Sequence, residues 1–150
     1  MRCYMRTNIP IYTILSTLMV LFCACFDNEQ ARVIPQTPVS IYAELSLPLF
    51  SPLQYDGNAI VVPGYGYQNN GIIVYRYTNA VNAYDCTCPN CMISSEQVSV
   101  IALDGMSSGT ATCPVCGAQY MLLNGWASNF DYPLQAYTAT ITGNTLHVHN

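Results

Sequence analysis

Between residues 39 and 47 the chain alternates: Val39, Ile41, Ala43, Leu45 and Leu47 are apolar, with Ser40, Tyr42, Glu44 and Ser46 between them. Period two puts the apolar set on one face of a half-buried strand, and Pro48 and Pro52 end it. A short apolar run at 59–62 follows, then the Gly- and Tyr-rich loop Pro63-Gly64-Tyr65-Gly66-Tyr67-Gln68-Asn69-Asn70-Gly71. Its tyrosines offer either a binding surface or a cover packed over the sheet. Asn70-Gly71, directly before Ile72-Ile73-Val74-Tyr75-Arg76-Tyr77, predicts a hairpin turn and a strand. Asn79 turns the chain into a strand over 80–84. Further strands are expected over 98–103, 109–112, 120–123, 134–141 and 145–148, with Asp104-Gly105, Asn124-Gly125 and Gly143-Asn144 as turns. No stretch beyond the N-terminal segment has a helical period. The expected fold is therefore all-β, an antiparallel sandwich or small barrel.

Composition agrees with that class. Charged residues make up 8% of the chain and hydrophobic ones 51%, with twelve Tyr against one Trp, a balance that suits pleated sheets in an exported domain. At 150 residues there is room for one domain. The four basic residues are all Arg, and the net charge is -4. Loss of Arg2 and Arg6 with a leader would leave Arg32 and Arg76 against eight acidic residues. Such a surface repels phosphate backbones, which excludes nucleic acid as a partner.

The leader is read from Arg2, Arg6 and the apolar run at 9–22, which ends at Cys23-Ala24-Cys25. That run is short for a membrane-spanning helix. One reading is an ordinary cleaved signal peptide or an anchor. The other is a lipoprotein signal, because the segment resembles a bacterial lipobox, in which a Cys after small or apolar residues is acylated. Cys25 is the better lipidation candidate, since it follows small Ala24 whereas Cys23 follows bulky Phe22. Residues 1–24 are then the signal peptide and 25–38 a lipid-anchored linker. That linker carries Asp27, Asn28, Glu29, Gln30, Pro35, Gln36 and Pro38 and has no strand or helix period. The domain proper starts at residue 39. A membrane-anchored lipoprotein of the cell envelope, periplasmic or at the surface, is the expected location.

Chemistry concentrates between residues 85 and 120, in Cys86-Thr87-Cys88-Pro89-Asn90-Cys91 and Cys113-Pro114-Val115-Cys116-Gly117-Ala118-Gln119-Tyr120. Cys88-x-x-Cys91 and Cys113-x-x-Cys116 form a CxxC…CxxC pair with metal-site spacing. Each CxxC turn aims two thiolates at one centre, and two such turns make a tetrahedral sulfur cage suited to zinc or iron. Pro after the first Cys stiffens each turn, and Gly117 lets the second curl. Disulfides are the alternative in an oxidising compartment, although five Cys beyond Cys25 would leave one unpaired.

The two boxes resemble those of Rieske iron-sulfur proteins, C-T-H-x-x-C and C-P-x-H-G-x-x-[FY]. Gly125, Tyr132-Pro133-Leu134, Tyr137 and Gly143-Asn144-Thr145-Leu146 are similar to that family's closing hairpins, so the resemblance covers residues 71–150. With its leader, the chain is also similar to lipoproteins of the Bacteroidota type that carry a degenerate Rieske-like domain. The resemblance implies an antiparallel β-sandwich with a small metal-binding subdomain at about 85–120. It also marks departures. Cys88 and Cys116 stand where two His ligands would be, and Val115 stands where high-potential members carry the disulfide partner of Cys91.

Two ligand sets follow: Cys88, Cys91, Cys113 and Cys116 from the paired turns, or Cys86, Cys88, Cys113 and Cys116 from the Rieske register. The paired turns favour a single ion, with zinc the first choice and a 2Fe-2S cluster for electron transfer the alternative. His147 and His149 share one face of the last strand, either as a surface chelate or simply facing solvent. An enzyme is the weaker class, because no Ser/His/acid trio lies close in sequence and no βαβ unit accompanies a CxxC. Asp85 is expected to shape a turn. The competing function is a disulfide-stapled binding module without metal. Any redox or envelope protein partner is unnamed by the sequence.

Overall fold

The computed structural model describes residues 33–78 and 80–150. The leader, Cys25, most of the linker and the Asn79 turn lie outside the described residues. Among the described residues nine strands form two antiparallel sheets. The larger takes the order β1-β9-β8-β4-β3-β2, built from β1 (Ser40–Glu44), β2 (Ala59–Val62), β3 (Ile72–Tyr77), β4 (Ala80–Asp85), β8 (Ala136–Thr142) and β9 (Thr145–His149). The smaller takes β5-β6-β7, from β5 (Ala102–Leu103), β6 (Thr110–Thr112) and β7 (Gln119–Met121). The all-β expectation holds.

The alternation at 39–47 does what period two requires. Ile41 and Ala43 point inward and Ser40, Tyr42 and Glu44 outward, in register with Val148 and Leu146 of β9. With Val39, Leu45, Ile60, Val62, Ile72, Val74, Ala83 and Tyr137 they make one core. Ile73 on the other face joins Ala59, Tyr84, Ile101, Tyr120, Leu122 and the buried cysteines in a second core. A continuous Ile72-Ile73-Val74 run is thus explained: β3 is buried on both faces. The β8–β9 hairpin closes at Gly143-Asn144, where Gly143 has φ +61° at the first central position, as a type II′ turn requires.

Four expectations need correction. A short helix, α1 (Pro89–Ser95), follows the first cysteine box; with two turns it is too short to reveal a period, and it starts on the Pro that favours a first helical position. The strand expected over 98–103 is regular only at Ala102–Leu103, because the backbone it faces at 86–88 turns into α1. Only a bridge between Thr87 and Val100 survives there, with hydrogen bonds from Cys88 N to Ser99 O at 2.8 Å and from Ile101 N to Cys86 O at 2.7 Å. Asn70-Gly71 is not a two-residue hairpin turn. It ends the loop joining paired Val62 and Ile72, and Tyr67–Asn69 form a 3-10 turn within that loop. Finally Ile34, expected in the linker, is 1% exposed; the short Val33-Ile34-Pro35 stretch has no strand or helix period to read.

Candidate metal centre

The first knuckle grows out of β4. That strand ends at Asp85, Cys86 and Thr87 continue it inward, and Cys88 caps α1 with extended φ/ψ of -77° and 113°. Cys91 lies in the first turn of α1, and a three-residue separation puts its sulfur on the side of Cys88. The second knuckle is the turn between β6 and β7. Cys113 N donates to Ala118 O and Gly117 N to Cys113 O, both at 2.9 Å, and Gly117 takes φ +73° to close the turn.

Folding brings the two knuckles together. The sulfurs of Cys88, Cys91, Cys113 and Cys116 all lie within 4.8 Å of one another, with Cys88–Cys116 and Cys91–Cys113 at 3.6 Å. A tetrahedral ion with metal–sulfur bonds of about 2.3 Å holds its sulfurs about 3.8 Å apart. The observed spacing brackets that value, so this donor set is able to hold one ion. Three of the four are buried and Cys116 is the half-buried one, beside exposed Val115. Cys86 is elsewhere. Its sulfur faces the Ile73 backbone N–H and would stand 3.5 Å from a Cβ placed on Gly71.

The polar surroundings are uneven. Burial pushes Cys86 up to about 12, reinforced by the Asp85 charge, and pushes Cys88 up to about 11; burial and its thiol neighbours also raise Cys91. At Cys113 burial acts in the same direction, but the backbone N–H of Cys116, the Ser99 hydroxyl and the Val115 N–H outweigh it and bring the thiol down to about 6. Ser99 Oγ stands 3.2 Å from Cys113 Sγ, and the Tyr120 hydroxyl 3.6 Å from Cys88 Sγ. Tyr120 closes the second sequence box. Ser99 has no sequence signal, since only the bridge to the first knuckle brings it to the sulfurs. Replacing Ser99 with Ala should weaken metal affinity about tenfold by removing a donor to a ligand, as measured by competition with a chelator.

Asp85 is fully buried and ties three segments together: Oδ2 accepts from Tyr67 N at 2.7 Å and Tyr137 Oη at 2.9 Å, and Oδ1 from Thr87 N at 2.9 Å. The bond to Thr87 is the local turn expected of it. Of the loop tyrosines, Tyr65 is exposed and Tyr67 half-buried, while Gly66 is buried against Asp85.

No family model and no curated protein matches the chain. Solved structures do. A quaternary ammonium Rieske monooxygenase with a bound inhibitor aligns with TM-score 0.51 and 12% identity over 76% of this chain and 31% of that one. Its apo form aligns with TM-score 0.51 and 13% identity over 79% and 34%. The fold is Rieske-like. The ferredoxin of carbazole 1,9a-dioxygenase from Nocardioides aromaticivorans IC177 is similar over 98% of its own length and 76% of this chain, at 19% identity and TM-score 0.46. In this Rieske-like frame the two sequence boxes become the two knuckles, and cysteine sulfurs make up the converging set.

Proposed function

We propose that the domain binds one metal ion through Cys88, Cys91, Cys113 and Cys116, that the ion is zinc, and that it locks the loop subdomain onto the sheets. The spread of the four sulfurs carries this reading. A two-iron cluster divides its four thiolates between two irons bridged by sulfide, which calls for two separated pairs. Here all four sulfurs stay within 4.8 Å of one another, with Cys88–Cys116 and Cys91–Cys113 at 3.6 Å, so the set does not divide into two separated pairs. Zinc would supply charge to hold the thiolates deprotonated and no redox chemistry. The chain's own part is to present the sulfurs from two stiff turns and to exclude water from three of them.

Elemental analysis and a visible spectrum on protein purified without oxygen test the proposal. One zinc per chain and no colour is expected. Two irons with sulfide and visible absorption would overturn it in favour of a low-potential electron-transfer centre. A metal-free protein with Cys88–Cys116 and Cys91–Cys113 joined would instead favour the disulfide-stapled module, whose pairing the 3.6 Å contacts would support.

The anchoring is part of the same proposal and rests on the sequence of the leader. Lipidation at Cys25 would place the domain on an envelope membrane. Exchanging Cys25 for Ser should move the protein from the membrane to the soluble fraction and abolish incorporation of labelled fatty acid. A variant that stays membrane-bound, with no label in the parent protein, would refute it.

A further inference from the structure

The last strand carries a second candidate set of donors, independent of the cysteine centre. In β9, Leu146 and Val148 point into the first core, which sends His147 and His149 to the opposite face of the sheet. Their rings stand 4.6 Å apart, centroid to centroid, and only 32° from parallel. The strands on either side frame them with small or ring partners: Tyr42 and Thr140 sit opposite His147, and Ser40 and Thr138 opposite His149. Tyr42 packs its ring edgewise on His147 at 5.6 Å. No bulky aliphatic side chain covers the pair in that register.

A hydrogen bond fixes the chemistry of one ring. His149 Nδ1 lies 2.7 Å from the Asn150 main-chain oxygen, which only accepts, so Nδ1 is the donor there and Nε2 is the nitrogen left to bind a metal in the neutral ring. Asn150 is itself held: its amide Nδ2 donates to Thr37 O at 3.0 Å, and its Oδ1 accepts from Val39 N. Donation of the second ring nitrogen to a backbone carbonyl is the arrangement that orients histidines for metal ligation. Two imidazoles on one tetrahedral ion, at about 2.1 Å each, have nitrogens about 3.4 Å apart, a spacing comparable with the 4.6 Å between these tilted rings. We propose that His147 and His149 form a two-histidine chelate for a divalent late first-row ion such as nickel, copper or zinc, with water completing the shell.

Nickel is the probe. The purified full chain, in detergent and with its cysteine centre as isolated, is titrated with nickel by calorimetry alongside His147→Ala, His149→Ala and the double variant, with Gln replacements at both positions as a check on folding. One nickel per chain is expected, with affinity falling at least tenfold in either single variant and little further in the double. Two weaker equivalents, single variants that lose stoichiometry but not affinity, or no uptake by the parent protein would each overturn the proposal. Unchanged cysteine-centre metal content before and after titration assigns the heat to the histidines.

Discussion

Serine at position 91 is expected to weaken metal binding enough for a chelator to strip the ion, while serine or alanine at position 86 leaves it intact. Cys91 supplies one of the four converging sulfurs, whereas Cys86 lies outside that group. Structural zinc sites bind with about 10 to 16 kcal/mol shared among four ligands, so losing one thiolate should weaken the site by about 3 kcal/mol, roughly a hundredfold. The Cys86 change removes only a buried sulfur against Gly71 and costs about 1 kcal/mol of folding stability. Metal content after dialysis against a chelator decides between them. The reverse pattern, with Cys86 essential and Cys91 dispensable, would restore the Rieske ligand register. Hydrogen exchange should localise the effect: on metal removal, residues 86–120 lose protection first, because the first core contains no cysteine and stands on its own apolar contacts. Unchanged protection there would count against a structural role for the ion.

Alanine at position 85 should cost stability whether or not metal is bound. Asp85 is not among the converging ligands, yet three donors point at its carboxylate: Tyr67 N, Thr87 N and Tyr137 Oη. Leaving buried donors unsatisfied costs about 1 to 3 kcal/mol each, less what entering water recovers, for a total of about 3 to 5 kcal/mol. Against a domain stability of about 5 to 15 kcal/mol this is a large fraction. Tyr137→Phe removes a single donor and should cost about 1 kcal/mol. Urea midpoints of both variants, with and without chelator, give the comparison. An Asp85→Ala protein within 1 kcal/mol of the parent in both conditions would show that the carboxylate does not hold these segments.

Where a pattern is imposed by a local period, the sequence determined the outcome. The alternation at 39–47 gives β1 and its inward Ile41 and Ala43, and Gly143-Asn144 closes the last hairpin because Gly takes positive φ there. The CxxC spacing also stands on local geometry, since the second knuckle closes on hydrogen bonds among its own residues and the first sets Cys91 in the first turn of the helix that Cys88 caps. Its Cys-Pro pairs and Gly117 are legible as turn chemistry. The unbroken Ile72-Ile73-Val74 run identifies a fully buried strand but not which core each residue enters.

What remained was decided by contacts between distant segments. Which cysteine is left over depends on where β4 stops and α1 starts, since a rise into a helix at Pro89 carries Cys91 to Cys88 while Cys86 stays in extended backbone. Ser99 reaches Cys113 across fourteen residues because the 99–101 backbone bonds to the first knuckle. Asp85 and Tyr137 meet across fifty-two residues, at the seam where β4 pairs with β8. No local period encodes such pairs. Their partners are set by strand register and by the demand that every buried donor and acceptor be matched, conditions that exist only once the sheets have assembled.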